Sequence, residues 1–164
     1  MRIDIRPAVL SDVEDMSRVV DACWETIFNM FMPAAVVERL TGEYRRTVFS
    51  KQLSDGLVIY VLLVDGVITA VASGKPCDEK AFADCFEIVQ LYVLPEKQHS
   101  GLGRKLLMHT LREARKSGFM SAMLETAAAN TNARAFYESF GFEEQKFLAR
   151  NVGGTDYVTY KIDF

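Results

Sequence analysis

Eight residues, Gln98-His99-Ser100-Gly101-Leu102-Gly103-Arg104-Lys105, stand between an apolar run, Ile88 to Val93, and an amphipathic run reaching about Lys116. A strand, a glycine loop and a helix start in that order make an anion site. The first helical turn leaves backbone N–H groups without carbonyl partners, and the helix dipole favours negative charge beside them. Gly101 and Gly103 let a ligand come close to the backbone, and Arg104 and Lys105 add positive charge at the mouth. A phosphate-bearing ligand fits such a loop. Two familiar phosphate loops do not fit the sequence. The G-x-x-x-x-G-K-[ST] pattern is missing, and Gly101-Leu102-Gly103 lacks the third glycine of G-x-G-x-x-G. What remains is Q-x-x-G-x-G after a strand.

Two further segments give this loop a context. Asn130 to Phe142 reads N-x-x-A-x-x-F-Y-E-x-x-G-F, one helix and one strand downstream of the loop. Glu87 to Val93 reads as a strand that begins on a glutamate. Together the three resemble the GNAT superfamily of acetyl-CoA-dependent N-acetyltransferases over residues 85 to 145. The resemblance implies an α/β (α+β) fold with a mixed, mostly antiparallel central sheet of about seven strands and about four flanking helices. It also implies acetyl-CoA as cosubstrate, with its pyrophosphate wrapped by Gln98, His99, Ser100, Gly101, Leu102, Gly103, Arg104 and Lys105. Ser100 stands where relatives often carry Arg or Gly, so one charge is missing there. Leu91, Tyr92 and Val93 would lie beside the pantetheine arm, with a Val93 backbone N–H as oxyanion donor.

The same resemblance gives roles to three side chains. Tyr137 would protonate the departing thiolate. Asn130 would bond the pantetheine amide, although Asn is also a common helix N-cap, and Asn132 competes for that job. Glu87 would take the proton that an ammonium acceptor must lose before it can attack, or would only bind the cationic amine. Glu125, closing the next strand, is a weaker candidate. Trp24 and Phe28 fall on a first helix, where they line an acceptor pocket or simply pack in the core.

The surrounding elements can be read from periodicity and punctuation. Residues 2–6 alternate as a strand. Ser11 and Glu14 read as a capping box for a helix over about 12–29. Pro33 opens a second helix, to about Leu53, with Gly42 as a possible break. Asp65-Gly66 between apolar runs marks a hairpin. A polar loop over 76–84, strand 86–94, the glycine loop and its helix, strand 120–125 and a helix over about 132–139 follow. Two closing strands, 142–150 and 155–163, join through Gly153-Gly154. The expected order is β-α-α-β-β-β-α-β-α-β-β, as one domain over residues 1–164.

Composition limits the alternatives. The 164 residues are 49% hydrophobic, which suits a folded core. A formal net charge of −3 disfavours nucleic acid as a partner. Cys23, Cys77 and Cys85 form no C-x-x-C pair, and His99 and His109 show no metal-ligand spacing, so no metal is expected. No apolar run reaches about 18 residues, and the first residues lack a signal-peptide pattern, which points to a cytoplasmic protein away from membranes. The resulting expectation is direct acetyl transfer to a primary amine of a small molecule, polyamines included, or of a peptide or protein, by a monomer or homodimer. One rival is a non-catalytic acetyl-CoA-binding sensor. Another is a ping-pong acyltransferase using Cys85, which lies two residues before Glu87 on the same strand face.

Overall fold

The computed structural model describes residues 1–27, 30 and 32–164. The elements run β1 (Ile3–Pro7), α1 (Val13–Thr26), α2 (Ala34–Leu40), α3 (Glu43–Ser54), β2 (Val58–Val64), β3 (Val67–Pro76), β4 (Cys85–Val93), α4 (Leu102–Lys116), β5 (Ser121–Ala127), α5 (Thr131–Glu138), β6 (Glu143–Glu144), β7 (Arg150–Val152) and β8 (Thr155–Asp163). The strands hydrogen-bond in the order β1-β2-β3-β4-β5-β8-β6, with β7 on β8. β4 and β5 pair in parallel, whereas the β1–β2, β2–β3, β5–β8, β6–β8 and β7–β8 pairs are antiparallel. This is the mixed, mostly antiparallel sheet that the motifs imply. The chain divides into two compact units, Met1–Gly74 with Gln90–Leu111 and Lys75–Val89 with Arg112–Phe164.

Departures from the expected order have local causes. The second helix is two, because Gly42 takes φ +64°, a left-handed value that a helix interior excludes and glycine tolerates. The first helix starts at Val13 and ends at Thr26, so the Ser11–Glu14 capping box does not form. A 3-10 turn, Leu10–Asp12, precedes it instead. Asp12 accepts from the Val9 N–H at 2.9 Å and from both terminal nitrogens of Arg6 at 2.7 and 2.9 Å. Glu14 turns to Arg46, 2.6 Å away. The expected strand over 142–150 is broken by a 3-10 turn, Lys146–Leu148, into β6 and β7. Both predicted hairpins form. Asp65 and Gly66 have φ +49° and +86°, and Gly153 and Gly154 have +59° and +87°, the paired positive values of a two-residue turn that matches strand twist.

In the first unit, alternation along β2 and β3 supplies two cores. Ile59, Val61, Ile68 and Val71 pack with Met16, Val19 and Val20 of α1 and Phe49 of α3. Leu62, Ala70 and Ala72 pack with Leu102 and Leu106 of α4. Each fully buried Leu or Phe in these clusters contributes about 1.5–3 kcal/mol. In the second unit, α5 is tied down by polar contacts as well as rings. Arg134 donates to the Tyr160 hydroxyl at 3.1 Å and to Glu144 at 3.2 Å, and Tyr160 donates to Glu138 at 2.6 Å. The Tyr137 ring lies 5.8 Å from Phe142 and 6.4 Å from Tyr160.

Candidate active site

The glycine loop belongs to the first unit. Leu94 donates its N–H to Thr69 at 3.0 Å, and a 3-10 turn, Pro95–Lys97, then leads into the loop. Two residues there are left-handed, His99 at φ +57° and Gly101 at +82°. An ideal Cβ on Gly101 would meet nothing within 4 Å, so conformation and not crowding calls for glycine, and the space beside it is open to a ligand. The Gly101 carbonyl accepts from the Lys105 N–H at 3.1 Å, the first helical bond of α4. The N–H groups of Leu102 and Gly103 therefore precede any helical acceptor and point out of the helix start. Arg104 and Lys105 are exposed.

Side chains brace this loop from behind. Gln98 Nε2 donates to the Val93 carbonyl at 3.1 Å, and Cys23 Sγ donates to the same oxygen at 3.1 Å. Ser100 Oγ donates to the Lys97 carbonyl. Leu102 is 3% exposed within the α4 core, and Leu91 and Val93 pack against the same cluster. Their side chains thus face the core, leaving only their backbone for a ligand. Tyr92 points the other way, and its hydroxyl accepts from Trp24 Nε1 at 3.2 Å. Arg45 lies over the Trp24 ring at 5.4 Å, so that indole is held in packing. Phe28 lies outside the described residues. Cys23 was not legible as a brace, since nothing in its sequence neighbourhood marks a contact 70 residues away.

The remaining candidates belong to the second unit. The parallel β4–β5 ladder covers only four pairs, Cys85↔Ser121 to Ile88↔Leu124, although β4 continues to Val93 and β5 to Ala127. Glu87 sits opposite Met123, and Glu125 follows two residues later, so both carboxylates share one sheet face. Glu87 is 3.6 Å from Lys75 Nζ, which also pairs with Asp78. Glu125 pairs with Arg150, whose guanidinium also lies 6.0 Å from the Tyr157 ring centre. Both cationic partners come from distant sequence positions, which hid them from sequence reasoning. Asn130 is the N-cap of α5, its Oδ1 accepting from the Ala133 N–H at 3.2 Å, which decides the competition with Asn132. Tyr137 is 9% exposed within the aromatic cluster of α5.

Cys85 lacks the setting of an activated acyl-transfer nucleophile. It is buried, and that burial pushes its thiol up, opposite to the lowered value that activates a cysteine. Among the described residues, no group of three or more His, Cys, Asp or Glu side chains could hold a metal ion.

A profile described as the Acetyltransferase (GNAT) family matches residues 24–142. The chain belongs to that family. Within this GNAT chain, 74 residues are 35% identical to the uncharacterized N-acetyltransferase YjgM of Escherichia coli K12, covering 45% of the chain and 44% of the relative. A stretch of 69 residues is 44% identical to the [ribosomal protein bS18]-alanine N-acetyltransferase of the same organism, covering 42% and 47%. The chain thus spans less than half the length of these two curated relatives. The spermidine N(1)-acetyltransferase of Thermoplasma acidophilum is 21% identical over 98% of both chains. In fold, the chain resembles the PaiA N-acetyltransferase of Thermoplasma acidophilum, solved with coenzyme A, at TM-score 0.83 and 19% identity over both whole chains. It also resembles YncA of Salmonella typhimurium, solved with acetyl-CoA, at TM-score 0.72 and 21% identity over 99% and 94%. Among the described residues, no helix is long and apolar enough to cross a membrane.

Proposed function

We propose that the chain is an N-acetyltransferase that moves an acetyl group from acetyl-CoA directly to a primary amine. The observation that carries this reading is the start of α4, where the left-handed Gly101 turns successive backbone donors outward beside open space. A pyrophosphate fits that cradle, because oriented N–H groups and a helix dipole bind anions without a matching side chain. Acetyl-CoA supplies the activated acetyl group. His99 to Arg104 hold its phosphates, chiefly by backbone, and Gln98 keeps the loop fixed to the end of β4. The backbone of Leu91 to Val93 lines the acyl arm, and the Val93 N–H orients the acyl oxygen. Asn130 fixes the start of α5, which carries Tyr137. Tyr137 gives a proton to the leaving sulfur through its hydroxyl. Glu87 takes the proton from the amine, and Glu125 is the second carboxylate available for that step.

The acceptor is a small-molecule amine, polyamines included, or a peptide or protein amine. Support comes from the names of the relatives and from two carboxylates on one sheet face that already hold cations of the chain itself. We read residues 1–164 as one catalytic domain acting in the cytoplasm as a monomer or homodimer, with neither nucleic acid nor membrane as partner. The family match runs across both compact units, which supports one domain. Calorimetric titration with acetyl-CoA, with NAD and ATP as controls, tests the reading. Binding of acetyl-CoA alone, followed by mass-detected acetylation of an amine from a panel that includes spermidine and short peptides, is the expected result. Absence of acetyl-CoA binding overturns it.

A further inference from the structure

Two thiols and a thioether converge where the loop between β3 and β4 closes. Cys77 lies one residue past β3 and Cys85 opens β4. The Cys77 N–H donates to the Cys85 carbonyl at 2.8 Å, so the two residues face each other across the mouth of the loop over 78–84. Cys77 Sγ donates to Met123 Sδ at 3.0 Å, and Cys85 Sγ donates to the Phe86 carbonyl at 3.8 Å. Both cysteines are free. Directly opposed, hydrogen-bonded residues on antiparallel chains have Cα atoms about 5.5 Å apart, inside the range of about 4.4–6.8 Å that a disulfide spans. The backbone hydrogen bond between the two cysteines fits a separation within that range.

We propose that Cys77 and Cys85 form a dithiol modification site, which a low-molecular-weight disulfide converts into an intramolecular disulfide across the neck of this loop. Cys77 is the entry sulfur. It is half-buried, whereas Cys85 is buried, and it accepts the Glu79 N–H at 3.3 Å, a contact that favours its thiolate. The Cys77 thiolate attacks one sulfur of the reagent, forming a mixed disulfide and releasing one thiolate. Cys85 then loses its proton to solvent and attacks the Cys77 sulfur, and the second reagent thiolate leaves. Two protein thiols are oxidised and one reagent disulfide is reduced to two thiols, so atoms and electrons balance. The product closes a ring around Asp78, Glu79 and Asp84 and fixes a loop whose end lies two residues from Glu87. Cys23 stands outside this chemistry, buried and donating to the Val93 carbonyl, with its thiol pushed up to about 12 by burial.

The site reacts slowly at neutral pH. Burial, joined by the smaller effects of the Cys85 and Glu87 charges and opposed by the Glu79 N–H, pushes the Cys77 thiol up to about 11. The groups around Cys85 are Ser121 of β5, Lys161 and Asp163 of β8, and Cys77 itself. Below pH 11 the thiolate fraction, and with it the rate of the first step, rises about tenfold per pH unit.

The test uses the reduced, full-length chain and oxidised glutathione as probe, at pH 7 and pH 9, followed by acid quenching, intact mass and peptide mapping. The three thiols of the reduced chain are expected to fall to one. The mass should drop by two hydrogen atoms, and the conversion should run about a hundredfold faster at pH 9 than at pH 7. Cleavage after Lys80 should leave two fragments joined until a reductant is added. In Cys85→Ser the reaction should stop at one glutathionyl group on Cys77. A wild-type chain that keeps three thiols at pH 9, ends as a stable glutathionyl adduct or links Cys23 overturns the proposal. None of these readouts depends on acetyl-CoA or on an amine.

Discussion

Around Gly101 the groups offered to a ligand belong to the backbone, whereas around Glu87 and Glu125 they belong to side chains. In the first region the side chains serve the frame. Leu102 packs in the core, Gln98 and Cys23 hold the Val93 carbonyl, and Ser100 holds that of Lys97. In the second region the frame is regular strand, and the groups it presents are two carboxylates, each with a cation of the chain beside it. A backbone site depends on torsion angles and tolerates changes of side chain that keep them. A side-chain site depends on the identity of each group and on whatever competes for it.

The largest expected effect tests the side-chain region. Glu87→Gln keeps the size and the hydrogen-bonding oxygen but cannot accept a proton. Turnover should fall about 100-fold, the usual worth of a positioned general base, while calorimetric affinity for acetyl-CoA stays the same. Turnover within about twofold of wild type would remove Glu87 from proton transfer and turn attention to Glu125. The loss of its 3.6 Å contact with Lys75 should leave stability within about 0.5 kcal/mol, because the pair is partly exposed.

Gly101→Val applies the opposite test to the backbone region. Nothing blocks the new side chain, so its whole cost is conformational: φ +82° is strained for any L-residue and most of all for a β-branched one. A strain of about 1–2 kcal/mol distorts the loop and should weaken acetyl-CoA binding about tenfold. Lys105→Ala, which keeps the torsion angles, should weaken it less than Gly101→Val, by about two- to threefold. The reverse ranking in titration would show that charge, and not backbone shape, carries the loop.

These two regions also differ in how far they can be read from sequence. The loop was legible because its determinants are local: glycines that open the backbone, a helix start and the amphipathic run that seats it. Asp65-Gly66 was legible for the same reason. The split at Gly42 was visible as a possible break, but φ +64° there depends on the fold around it, where the Asp21 carboxylate accepts the Gly42 N–H at 2.9 Å. The Ser11–Glu14 capping box was a sound local pattern overruled at a distance, since Arg6 and Arg46 draw Asp12 and Glu14 into ion pairs. Lys75 and Arg150 were invisible as partners because β-sheet register, and not spacing along the chain, brings them to Glu87 and Glu125.

The Arg6–Asp12 pair in the first unit supplies a structural counterpart to Arg150–Glu125. Asp12 is 7% exposed and held by Arg6 and the Val9 N–H, which keep its carboxyl below the usual carboxylate range. Asp12→Asn should cost about 1–2 kcal/mol at pH 7 in denaturant unfolding. A carboxyl whose pKa is lower folded than unfolded stabilises the fold above its unfolded value, about 3.9, and that gain fades as pH falls through the folded value. The gap between Asp12→Asn and wild type should therefore be full at pH 7 and shrink only in acid below about pH 4. A gap that is constant through that range would assign the loss to packing.

Arg150→Ala is the smallest and most discriminating change. Arg150 is more than half exposed at its side chain and sits on β7, a strand of three residues exposed throughout, so little of the fold depends on it. Stability should change by about 0.5 kcal/mol or less, unlike that of Asp12→Asn. If the Glu125 carboxylate serves a cationic acceptor, Arg150 competes with that acceptor as a tethered cation. Its removal should then lower KM for amines about two- to threefold and leave acetyl-CoA binding unchanged. A stability loss near that of Asp12→Asn with no change in KM would make both arginine pairs structural. The carboxylate face would then contribute Glu87 alone to the reaction, and the contrast with the glycine loop would rest on one residue.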